Sequence, residues 1–102
     1  MKIYISGPMS GLPNLNFGEF EEAETNLNIL GHESVNPHNL IPKDTPYNDA
    51  LKVDIRALVD CEAIVMLPGW PQSKGAMLEF NVAASLGLKI FFGVSHVPLG
   101  LV

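Results

Sequence analysis

Residues 63–94 read AIVMLPGWPQSKGAMLEFNVAASLGLKIFFGV, and this stretch decides the fold. Ala63 to Leu67 is a five-residue apolar run stopped by Pro68-Gly69, the mark of a short strand buried on both faces. A helix-length run follows from Ser73 to Gly87, and a second apolar run spans Lys89 to Val94. Strand, loop, helix and strand in that order make a crossover unit, whose two strands lie parallel with a right-handed connection.

The same alternation continues outward on the N-terminal side. Met1 to Ser6 is a β-type run ending in Gly7-Pro8. The spacing of Phe17, Phe20, Ala23, Leu27 and Leu30 predicts a helix over 17–30, with Asn16 as N-cap, Glu19 as its capping-box partner and Gly31 as the stop. Glu33 to Asn36 reads as a brief strand. The polar stretch from Pro37 to Asn48 holds three prolines and reads as a loop, and a helix follows over Asp49 to Asp60. These elements predict one α/β domain over 1–102, a small doubly wound parallel sheet of four to five strands with helices on both faces. Ligands of such sheets bind at the carboxyl ends of the strands. The unusual loops fall there: 6–11, 36–37 and 68–75.

Helical phasing singles out two carboxylates. After its first turn the run over 73–87 has only Glu79, Asn81 and Ser85 as polar residues. At 100° per residue Asn81 and Ser85 lie about 200° and 240° from Glu79, so they mark the solvent side and Glu79 points inward. In the preceding helix Asp49, Lys52, Arg56 and Asp60 lie about 160° to 240° from Asp54, which shares its stripe with Ala50, Leu51, Ala57 and Leu58. An inward acid is costly unless hydrogen-bonded or functional. One such residue is as readily a cap or an acceptor for buried N–H groups. Two on adjacent helices, beside loops of this composition, match a carboxylate active site.

Ser6, Gly7, Pro8, Met9 and Ser10 form a loop suited to close backbone approach and to N–H donors facing an anion. It lacks the lysine and the spacing of a P-loop. Ser73, Lys74 and Gly75 open the Glu79 helix, where a capping serine, free amides and the helix dipole favour phosphate or carboxylate. Trp70 either stacks on a flat ligand or covers a hydrophobic edge or subunit contact. Tyr4 alternates with Ile3 and Ile5 as ordinary sheet packing, unless it faces the crevice.

The composition excludes other classes. With 47% hydrophobic and 17% charged residues in 102, the surface is apolar enough to point to self-association. A net charge of −5 argues against nucleic-acid binding. His32, His38 and His96 make no metal spacing with one another or with Cys61, so neither a metal nor another cofactor is expected. Cys61, the single cysteine, fits a reducing cytoplasm and reads as a small buried hydrophobe. No stretch reads as a signal peptide or membrane span, so a soluble intracellular protein is expected.

KIYISGPMSGLPNLNF near the start and VDIRALVDCEAIVMLPGWPQSKGAMLEFNVAASLGLKI later closely resemble the short DUF4406 proteins common in phages and prophages. Those are similar in turn to nucleoside 2-deoxyribosyltransferases and 2'-deoxynucleoside 5'-phosphate N-hydrolases. The resemblance implies a flavodoxin- or Rossmann-like, nucleoside deoxyribosyltransferase-like fold and a small-molecule nucleoside or nucleotide as ligand. It implies Glu79 as nucleophile at C1' of the deoxyribose and Asp54 near the sugar and base. Ser73 and Gly75 fall on the hydrolases' S-x-G-x-x-x-E pattern, with the serine on the 5'-phosphate, and Gly7 to Ser10 on the loop contacting base and phosphate. Where the transferases carry a second aspartate this chain has Pro68-Gly69-Trp70. Where they complete the sugar site with a neighbouring subunit's carboxy-terminal group, it ends in Leu101-Val102.

Overall fold

The computed structural model of the protein describes residues 1–100. Its elements are β1 (Lys2–Ser6), α1 (Phe17–Ile29), β2 (Glu33–Val35), α2 (Tyr47–Val59), β3 (Ala63–Met66), α3 (Lys74–Ser85) and β4 (Lys89–Phe91), with 3-10 turns between them. The four strands form one sheet in the order β2-β1-β3-β4. Every pairing is parallel, with Lys2 opposite Glu33, Ile3 opposite Ala63, and Ala63 opposite Lys89.

Side chains alternate across the central strands, and so divide the core in two. Ile3, Ile5, Ala63 and Val65 face α1, meeting Phe20, Ala23 and Leu27. Tyr4, Ile64 and Met66 face the other way, towards Leu58 of α2 and Ala76 and Ala83 of α3. The sheet is doubly wound, as the crossover pattern predicts. From β1 the chain moves outward to β2, then crosses back over β1 to β3 and continues to β4. The order therefore reverses between β1 and β3, and the crevice opens at their carboxyl ends.

Some boundaries differ from the expected ones. Helix α2 starts at Tyr47, because Pro46 accepts the Ala50 N–H and begins the helix two residues early. The loop before it holds a 3-10 turn over Pro37–Asn39. Asn16 precedes α1 but does not cap it: it sits at φ 61° and its side-chain amide donates to the Pro8 carbonyl at 2.9 Å. The expected capping box with Glu19 is absent for that reason. Strand β4 ends at Phe91, earlier than the apolar run, and a 3-10 turn follows at Val94–His96.

Gly7 is required by a close approach. A Cβ on it would stand 2.8 Å from the Cβ of Leu67, so no larger residue lets the first loop cross the end of β3. That crossing brings 7–10 beside 67–75 at the crevice. Cys61 is buried, its thiol pushed up to about 11 by desolvation, and it behaves as a core residue. Among the described residues no helix is long and apolar enough to cross a membrane.

Candidate active site

A cavity of about 1300 Å³ occupies the crevice at the carboxyl ends of β1 and β3. Asp54 and Glu79 line it, and both are buried, at 8% and 5% exposure. Glu79 lies on the inner face of α3, where its carboxylate is held at both oxygens. The Tyr4 hydroxyl donates to Oε2 at 2.7 Å and the Ser6 hydroxyl to Oε1 at 2.7 Å. Both donors come from alternate positions of β1, which share one face of the sheet.

Asp54 projects from α2 into the same place. Its Oδ1 is buried and has no hydrogen-bond partner among the described residues. Burial, and then the charge of Glu79, raise its pKa to about 7. Glu79 is raised as well by burial, against which the hydrogen bonds from Ser6, Tyr4 and Asp54 act. Burial and then the neighbouring Glu79 hold the Tyr4 phenol well above its usual value, so it stays a donor. Two close carboxylates share a proton unequally when their surroundings differ. Here two hydroxyl donors stabilise charge on Glu79, whereas on Asp54 burial and the Glu79 charge outweigh the hydrogen bond from Tyr4. The two carboxylates are thus poised to share one proton, with the hydroxyl donors on the Glu79 side.

Of the remaining expected site residues, Gly7, Pro8, Met9, Ser10, Ser73, Lys74 and Gly75 all line the cavity. Ser73 caps α3, its Oγ accepting the Ala76 N–H at 3.2 Å. Ser6 does not open onto the cavity. It is fully buried, and its hydroxyl is committed to Glu79. Trp70 is placed elsewhere: Gly69, at φ 85°, turns the chain so that the indole packs on Phe80 at 4.9 Å and Phe92 at 5.9 Å between ring centroids. It covers a hydrophobic edge and does not line the cavity. Leu101 and Val102, which stand where the resembling transferases complete the sugar site, lie outside the described residues.

Sequence reasoning passed over the Tyr4 contact and the cavity's outer wall. The shared face of Tyr4 and Ser6 was the available signal for the first. The wall comes from 12–17 and 37–43, where Asn14, Leu15 and Asn16 all take positive φ and nothing in the pattern announces it. His38 belongs to that wall. Its Nε2–H donates to the Leu15 carbonyl at 3.0 Å, its ring meets Phe17 and Phe20 edge-on, and burial lowers its pKa. Among the described residues no three His, Cys, Asp or Glu gather closely enough to hold a metal ion.

Residues 1–92 match the family model described as domain of unknown function DUF4406. The chain belongs to this family. No curated protein matches the DUF4406 chain. Its fold recurs in solved structures of three proteins. A CMP N-glycosidase, BcmB, of Clostridium botulinum aligns over 88% of this chain and 66% of its own, with TM-score 0.63 and 21% identity. A 2-deoxyribosyltransferase of Bacillus psychrosaccharolyticus gives 88% and 69%, TM-score 0.69 and 19% identity. The 2-desoxiribosyltransferase of Leishmania mexicana gives 87% and 61%, TM-score 0.70 and 20% identity. The DUF4406 chain spans about two thirds of the length of these proteins, and shares their α/β fold.

Proposed function

We propose that this DUF4406 protein cleaves, or transfers at, the N-glycosidic bond of a 2'-deoxynucleoside or its 5'-monophosphate. The observation that carries the reading is the carboxylate pair: Glu79 braced at both oxygens, and Asp54 with its pKa raised by burial and by Glu79, both lining one cavity. The activities named for the three structural neighbours agree with it.

In the first step an oxygen of Glu79 bonds to C1' while the C1'–N bond breaks. Its electron pair stays on the departing base nitrogen, and the base takes the Asp54 proton directly or through its own tautomeric positions. Water then attacks C1', gives its proton to the Asp54 carboxylate and releases Glu79. A second base nitrogen in place of water gives transfer. Two carboxylates acting in this order form the general scheme of retaining glycosidases. Met9 covers the base, and Ser73 with the Lys74 and Gly75 amides receives the 5' end.

Chromatography of deoxynucleosides and their 5'-monophosphates incubated with the protein tests this. Release of free base from at least one member is expected, and release from none removes the proposal. A second reading has one observation in its favour: Pro68 and Gly69 line the cavity where the resembling transferases carry a further aspartate. A non-catalytic nucleotide-binding module would show ligand-dependent thermal stabilisation with no free base.

Self-association is part of the proposal. Leu78, Leu86 and Phe92 are 41%, 55% and 55% exposed, in keeping with a face that a second copy covers. Sedimentation is expected to give a dimer or larger, and a monomer at micromolar concentration would remove this part.

A further inference from the structure

Ser6 closes β1 and is fully buried. A hydroxyl in that place must leave water, and a buried serine commonly recovers the loss by bonding the backbone nearby. This one reaches across the sheet face to a helix instead. It donates to Glu79, 73 residues away in the chain, at 2.7 Å, the length of a charge-assisted O–H···O⁻ bond.

The backbone that aims it is fixed on each side. Ser6 stands opposite Met66 in the sheet register, and its carbonyl accepts the Leu67 N–H at 2.8 Å. Beyond it the chain runs into Gly7, where a Cβ would meet Leu67 at 2.8 Å. The hydroxyl is therefore held by a strand end that has little room to shift.

The two donors on Glu79 serve different groups. The Tyr4 hydroxyl stands between the acids: it donates to Glu79 Oε2 and also acts by hydrogen bond on Asp54. Ser6 acts on Glu79 and not on Asp54. A carboxylate held at one oxygen can still swing about its Cγ–Cδ bond; held at both, its plane is fixed. The titratable groups that face Glu79 are Tyr4 from β1 and Asp54 from α2, while β3 presents Ile64 and Met66 on that side. Glu19, His38, Lys43 and Lys74 line the same cavity.

We infer that Ser6 is a positioning residue: its hydroxyl fixes the plane of the Glu79 carboxylate and biases the proton shared by the two acids towards Asp54. Ser6 is closed off from the cavity, so it acts through Glu79 and touches no ligand. Tyr4, reaching both acids, cannot by itself tell them apart; Ser6 can. The inference rests on the glycosidic reading above, in which an ionised Glu79 bonds to C1' and Asp54 supplies the proton.

The test is Ser6→Ala, with kcat and KM for base release followed against pH. Loss of a hydrogen bond to a charged group should move the acid limb of kcat up by about one to two pH units. On that limb kcat falls by about 10- to 100-fold, and KM stays within about twofold because no ligand contact is lost. The alkaline limb, set by Asp54 at about 7, stays in place. A merely structural role would lower kcat or the melting temperature with both limbs where they were. An unmoved acid limb, or both limbs moved together, overturns the inference and leaves the glycosidic reading standing. If the parent releases no base from any substrate, that reading falls, and the inference is decided by carbon NMR titration of the side-chain carboxyls, the Glu79 signal being the one lost in Glu79→Gln. The midpoint of that signal must rise in Ser6→Ala; an unchanged midpoint overturns the inference.

Discussion

Replacing Glu79 by glutamine is expected to lower base release by on the order of 10³-fold or more while leaving the fold intact. Glutamine keeps the shape of the side chain. The Tyr4 hydroxyl can still donate to the amide oxygen, and the Ser6 oxygen can turn to accept from the amide nitrogen. What is lost is the carboxylate charge, and with it the oxygen nucleophile of the proposed step. Glu79→Ala removes the side chain as well and should be equally inactive, though it leaves two buried hydroxyls of β1 without their acceptor. The pair of variants therefore separates chemistry from packing. Initial rates measured by chromatography, with circular dichroism on the same samples, check it. Activity within tenfold of the parent in Glu79→Gln would sink the nucleophile assignment.

Asp54→Asn is expected to lower kcat by about 10²- to 10⁴-fold, the range for loss of a positioned general acid. The pH profile carries the sharper signature. With Asp54 raised to about 7 by burial and by Glu79, activity that depends on its proton should fall as pH rises through that value in the parent. In Asp54→Asn the residual rate should lack that limb.

In Asp54→Asn stability should rise where activity falls. The folded state holds the Asp54 proton more tightly than the unfolded chain, whose carboxyl has the ordinary value of 3.8. Between those values the folded state binds more protons, so unfolding free energy falls as pH rises from about 4 to about 7. Below 4 the burden is absent; above 7 it is complete. Asparagine has no charge to bury, so the variant should gain on the parent by on the order of 1–3 kcal/mol at pH 8 and by little near pH 4. Urea denaturation at both values measures this. A gain at pH 4 as large as that at pH 8 would show that Asp54 is not the group holding the proton.

Helical phasing made the two acids legible. A residue about 200° from Asn81, on a helix otherwise apolar, had to face inward, and Glu79 does. The crossover pattern gave the parallel sheet and its crevice with equal directness, because short apolar runs separated by helix-length segments admit few other arrangements. Residues outside regular elements were less legible. A loop has no period, so nothing in PGWPQSKG reveals that Gly69 swings Trp70 away from the ligand side. The N-cap expected at Asn16 failed for a related reason: a side chain can cap only from extended backbone, and here three successive residues take left-handed angles. Tyr4 was half legible. Strand alternation put it on the face of Ser6, but only the packing of α3 against that face brings Glu79 within its reach.

The position of Trp70 has a practical consequence. As the only tryptophan, it supplies nearly all the near-ultraviolet emission of the chain. It packs among Phe80 and Phe92 and does not line the cavity. Its fluorescence is therefore a gauge of folding that occupancy leaves largely untouched, and denaturation can be followed in the presence of ligand without correcting for quenching at the binding site.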